Sequence, residues 1–119
     1  MATQRQYKLV TVNNAPDRAR KIVGRVIEDV KGTYNIVHAA NAESPEAAKA
    51  VFEDVMPDVV FTASMWSPEQ SSKVLAQAKE VNPECKTLAL PQGLQVQSGP
   101  DAVVEYIKEQ LPRLLDGST

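Results

Sequence analysis

The prolines divide this chain into its elements. Six of the eight are followed by an acid: Pro16-Asp17, Pro45-Glu46, Pro57-Asp58, Pro68-Glu69, Pro83-Glu84 and Pro100-Asp101. Proline suits the first helical position, where its missing N–H would be unpaired anyway, and an acid just after it favours the positive end of the helix dipole. Four of these pairs open amphipathic stretches. From Pro16 the apolar residues Ala19, Ile22, Val23, Val26, Ile27 and Val30 recur at helical spacing, and Gly32 ends the run. A second helix starts from the cap Ser44 and offers Ala47, Ala48, Val51, Phe52 and Val55 for burial. A third starts from Ser67, with Gln70 placed for a capping box, and offers Val74, Leu75, Ala78 and Val81. The last starts after Gly99 and carries Val103, Val104, Ile107 and Leu111 before Pro112 disturbs its final turns.

The pairs at Pro57 and Pro83 close helices and lead into short apolar runs. "YKLVTV", "NIVHAA", "DVVFTAS" and "CKTLAL" read as β-strands, and a fifth, weaker strand could form at "LQVQ", residues 94–97. Strands alternating with helices predict a parallel sheet covered on both faces and joined by right-handed crossovers. The expected architecture is a three-layer, doubly wound α/β sandwich of the flavodoxin-like kind, with a mostly parallel sheet of four or five strands. One domain over residues 7–115 accounts for the 119 residues, with 1–6 and 116–119 as loose ends. Sites in such sheets lie beyond the C-terminal strand ends. Here those ends are Asn13 and Asn14, Ala40 and Asn41, Ala63 to Trp66, and Pro91 to Gly93.

Composition excludes several function classes. A net charge of −2 gives no polyelectrolyte character and argues against nucleic acid. One cysteine, Cys85, and one histidine, His38, rule out a disulfide framework and a His/Cys metal cage. No apolar run approaches the roughly 20 residues of a membrane span, and "MATQRQYK" lacks the apolar centre of a signal peptide, so the chain reads as cytoplasmic. Neither a dinucleotide fingerprint nor a nucleotide-phosphate loop occurs among the five glycines. "NNAPD" is not a Ser/Thr/Gly-rich flavin phosphate loop. "PDVVFTASM" looks like the third strand of a cobalamin domain, but the D-x-H-x-x-G ligand motif is absent.

At its strand ends the sequence resembles a response-regulator receiver domain, from about Lys8 to Leu90 and again in the last helix. "KLVTVNNAPDRAR" looks like that family's first strand and acidic turn, and "MPDVVFTASMW" with "VLAQAKEVNPECKTLAL" looks like its third strand, third helix and fourth strand. The family's phosphoryl chemistry uses three carboxylates around Mg²⁺, one of them the nucleophile, with a hydroxyl residue and a lysine that grip the phosphoryl group. Laid on this chain, the acidic pair falls on Asn13 and Asn14, the nucleophilic aspartate on Ala63, the hydroxyl residue on Pro91 and the lysine near Gln97. A methyl group cannot attack phosphorus, and neutral amides bind Mg²⁺ far more weakly than carboxylates. Shifting the alignment by one residue would bring Thr62 or Ser64 to the acceptor position, and neither forms an acyl phosphate. Between Pro91 and Leu94 there is too little chain for the family's fourth helix. The resemblance therefore implies a degenerate, receiver-like domain without metal or cofactor.

Arg18, Lys21 and Arg25 share one face of the first helix, with Arg20 nearby. In receivers that helix helps form the surface docked by the kinase or phosphotransfer partner, so an acidic protein partner, or a second copy of the chain, is the expected use. Met65 and Trp66 at the rim of the site offer a second partner surface or a packing lid. His38 reads as a core or cross-strand residue and Cys85 as a small buried hydrophobe. With no local acid–base pair, the chain reads as a non-catalytic protein-interaction module. The alternative is a small-ligand sensor with an uncharged pocket lined by Asn13, Asn14, Ser64 and Trp66.

Overall fold

The computed structural model describes residues 6–63 and 65–115. The terminal segments expected to be loose lie outside these residues except for Gln6, which begins the first strand. The elements run β1 (Gln6–Val12), α1 (Pro16–Val30), β2 (Asn35–Ala42), α2 (Pro45–Val55), β3 (Val59–Thr62), α3 (Pro68–Val81), β4 (Lys86–Ala89) and α4 (Leu94–Leu115). Among the described residues the sheet has four strands, all parallel, in the order β2-β1-β3-β4. This is the doubly wound, flavodoxin-like α/β fold.

Local chemistry sets the helix starts. Pro16, Pro45 and Pro68 each stand at the first turn of their helix. Ser44 accepts from the Ala47 N–H at 3.2 Å, and Ser67 and Gln70 form the reciprocal capping box. Period-2 alternation along β1 and β3 then splits the core into two layers. Leu9, Val59 and Phe61 join Ile22, Val23 and Val26 of α1 and Val103, Val104, Ile107 and Leu111 of α4. Val10, Val12 and Val60 join Ala48 and Phe52 of α2 and Val74 and Ala78 of α3. Each fully buried aliphatic side chain contributes about 1.5–3 kcal/mol, so two independent apolar faces fix the sheet between its helix layers. Ala47, expected inside, is exposed. It sits on the shoulder of the stripe centred on Ala48 and Phe52, where an alanine gains little from burial.

Residues 94–97 are helical, not a fifth strand. A parallel fifth strand would need a crossover of roughly a dozen residues or more, and only Pro91, Gln92 and Gly93 separate Ala89 and Leu90 from Leu94. Gly93 instead turns the chain at φ 86°, the Leu94 N–H donates to Pro91 O at 3.1 Å, and the Gln97 N–H donates to Gly93 O at 2.8 Å. Between β4 and Gly99 there is thus a single helical turn, 94–98. Gly99, at φ 84° and ψ 175°, breaks it from the long segment that follows, so the last helix proper starts after Gly99 as its pattern predicts.

β2 carries a bulge. Leu9 faces His38 but Val10 faces Ala40, so Ala39 is the extra residue. The bulge resets the alternation, and His38 and Asn41 both come to the α1 side of the sheet beside Thr11.

Candidate functional site

At the C-terminal strand ends the backbone of β1 is fully engaged. The Asn13 N–H donates to Ala42 O at 2.9 Å, and its side-chain Oδ1 accepts from the Ala15 N–H at 2.7 Å, closing an Asx turn just before α1. Its carbonyl accepts from Asn41 Nδ2 at 3.0 Å. The Thr11 hydroxyl donates to Asn41 Oδ1 at 2.6 Å and, with its proton so committed, accepts from His38 Nε2 at 2.9 Å. A chain of hydrogen bonds thus runs from His38 through Thr11 and Asn41 to Asn13, and it places the neutral imidazole proton on Nε2. Burial lowers the His38 pKa from its ordinary value, and the Arg20 charge lowers it further.

The loop after β3 closes the same end from the other side. The Trp66 indole N–H donates to Val12 O at 2.7 Å, a carbonyl that also takes the Ala63 N–H at 3.1 Å. The Asn14 N–H points to Met65 Sδ at 3.4 Å, a weak contact. Trp66 is half-buried and packs on the α2/α3 layer of the core, so it behaves as a lid more than as a free anchor. Ser64 lies outside the described residues.

Asn13, Ala63 and Met65 meet around one cavity of about 30 Å³, together with Thr11, Arg18 and Leu90. That is room for a water molecule and an order of magnitude below the roughly 300–1,000 Å³ of ordinary ligand pockets. Ala63 presents its methyl at 6% exposure. Pro91 is exposed and stays outside the cavity, whose wall is Leu90 instead. Gln97 is exposed on the helical turn 94–98 and does not join the site. Among the described residues no group of three or more His, Cys, Asp or Glu side chains could hold a metal ion.

Thr11 and Leu90 are the site residues that the strand pattern does not single out, whereas Asn41 stands among the expected strand ends. The signal for Thr11 is a polar residue inside the otherwise apolar strand "LVTV", but nothing in the sequence joins Thr11 to Asn41. Their partnership depends on the bulge at Ala39, which has no local mark in the sequence.

Arg18, Lys21 and Arg25 line one open groove of about 430 Å³, floored by Ile22 and Pro100 where α1 meets the start of the long segment of α4. Arg25 pairs with Asp101 at 2.7 Å, the two side chains being 49% and 85% exposed, and such a pair contributes little to stability. Arg20 pairs with Asp17 at 3.6 Å. Arg18 and Lys21 form no ion pair among the described residues. Both are exposed, and Arg18 lies in the first turn of α1, where the helix dipole opposes a cation by a few tenths of a kcal/mol.

No family model and no curated protein matches this sequence. Two solved structures align over 88% of the chain. One is the signal receiver domain of the response regulator NarL from Mycobacterium tuberculosis, 12% identical, 95% covered, TM-score 0.48. The other is the Vibrio cholerae chemotaxis protein CheY4, 15% identical, 98% covered, TM-score 0.47. At these identities the likeness concerns the fold alone. No helix among the described residues is long and apolar enough to cross a membrane.

Proposed function

We infer that this chain is a non-catalytic, receiver-like signalling or regulatory module that is not phosphorylated at the position of the family's aspartate and acts by binding a protein. One observation carries the reading. At the strand ends a methyl group stands at Ala63, amides stand at Asn13 and Asn14, and the backbone N–H, carbonyl and side-chain Oδ1 of Asn13 are already bonded within the chain. Among the described residues no carboxylate lines that cavity to form an acyl phosphate, and no group of three or more His, Cys, Asp or Glu side chains could hold Mg²⁺. The exposed cations of α1 supply a surface for an acidic protein partner, with long-range attraction that salt would screen.

The test has two arms. Incubation with acetyl phosphate and Mg²⁺ should leave the intact mass unchanged, and Mg²⁺ with beryllofluoride should leave the melting temperature within about 1 °C. A partner recovered from the native source should lose binding to the Arg18→Glu/Lys21→Glu variant, whose melting temperature stays close to the parent because both sites are exposed. A mass increase of one phosphoryl group on any residue of the cavity would overturn the reading.

A further inference from the structure

β4 is the last strand of the sheet, and its outer edge is open. The Lys86 N–H donates to Asp58 O at 2.8 Å and the Leu90 N–H to Thr62 O at 3.1 Å, both toward β3. The alternate residues Thr87 and Ala89 therefore direct their N–H and C=O groups the other way. Among the described residues no hydrogen bond takes up those groups. Ala89 is exposed and Thr87 half-buried, so nothing bulky covers the edge on the α3 face.

On the opposite face α4 flanks this edge. The ion pairs Arg25–Asp101 and Lys108–Asp29 turn one side of α4 toward α1, and Val103, Ile107 and Leu111 face the sheet. Helical spacing leaves Ala102, Tyr106 and Gln110 on the side away from α1, above the edge of β4. All three are uncharged and half-buried, and Tyr106 packs on the core.

We propose that a second copy of this chain adds to this edge, β4 to β4 and antiparallel, about a twofold axis at Leu88. In that register Thr87 of each copy exchanges both N–H···O bonds with Ala89 of the other, because these are the residues whose backbone groups face outward. On the α3 face the opposed side chains, Thr87 and Ala89, are small; on the other face Leu88 meets Leu88 of the second copy and Lys86 lies opposite Leu90, so no like charges meet. The uncharged flank of α4 gives a strongly charged partner nothing to pair with, whereas it lets a chain of net charge −2 meet itself without local repulsion. Lys86 and Pro91 bracket the edge and confine the pairing to a short stretch. The bulge at Ala39 interrupts the other free edge, on β2, so pairing closes as a dimer and does not propagate.

This names one partner for the interaction module and rests on that reading, but its test involves neither phosphoryl transfer nor the basic groove, so the two can fail separately. Two short strands and a helix flank cover less than the roughly 1,200 Å² of a standard interface, so the dimer is weak and needs a wide concentration range. Sedimentation velocity from about 10 µM to about 1 mM should show monomer giving way to dimer. Over the same range hydrogen exchange at the Thr87 and Ala89 amides should slow by about threefold or more, while amides on the β2 edge hold their rates. Ala89→Lys and Tyr106→Glu, at an exposed and a half-buried position, should each remain monomeric at 1 mM with cooperative thermal unfolding retained. A parent chain that stays monomeric at 1 mM, a dimer that survives in either variant, or concentration-independent exchange at Thr87 and Ala89 overturns the proposal.

Discussion

Trp66 gives the sharpest test of how the strand ends are closed. Its indole N–H donates to Val12 O at 2.7 Å, yet that carbonyl also receives the Ala63 N–H at 3.1 Å. Removing the indole donor therefore leaves no orphaned acceptor, and Trp66→Phe should cost only the net value of one hydrogen bond, about 0.5–1.5 kcal/mol. A chain of this length gains roughly 0.25 kcal/mol/K of unfolding entropy, so the melting temperature should fall by about 2–6 °C. Trp66→Ala also removes the packing of a half-buried ring. About half of the ~3–5 kcal/mol measured for fully buried aromatics gives roughly 2 kcal/mol, or about 8 °C. Circular dichroism at 222 nm is the suitable probe, since both variants lose the only tryptophan. If Trp66→Phe is as costly as Trp66→Ala, the sharing of Val12 O is refuted; if Trp66→Ala is neutral, so is the lid.

Two further predictions concern titration. His38 is neutral in the fold and its pKa is lowered, chiefly by burial, from the ordinary 6.5. The unfolded chain therefore binds more protons in that window, so stability should fall as pH drops below about 6.5 and level off below the folded pKa. In His38→Gln, melting curves between pH 7.5 and 5 should lose that component of the slope. Cys85 is buried, and burial pushes its thiol up to about 11. Iodoacetamide at pH 8 should leave the folded protein unlabelled and modify it once denaturant exposes the thiol, as intact mass would show.

Much of the fold was legible because proline acts locally. At Pro16, Pro45 and Pro68 the fixed φ and missing donor mark a helix start whatever the tertiary context, and the cap serines agree. Residues 94–97 carry no such mark. Four residues with one valine and one leucine fit either period, and the outcome was set by Gly93, Gly99 and the short connection from β4. The strand-end positions Asn13 and Ala63 followed from strand register, and the structure sets them on one cavity wall. The hydrogen-bond chain through Thr11, Asn41 and His38 did not follow. A single inserted residue in β2 exchanges the faces of everything after it, and the sequence "VHAANA" does not say which alanine is inserted.

The engaged asparagine at the end of β1 bears on how such a domain could carry information. A conformational switch needs two arrangements of nearly equal free energy, and here a second arrangement would strand buried donors and acceptors at about 1–3 kcal/mol each. A cluster of carboxylates at such strand ends would hold like charges together until a cation relieved them. Asn13, Thr11 and Asn41 hold no such tension. On the interaction-module reading, the message would lie in how much of the protein is present and where, and not in which of two shapes it adopts.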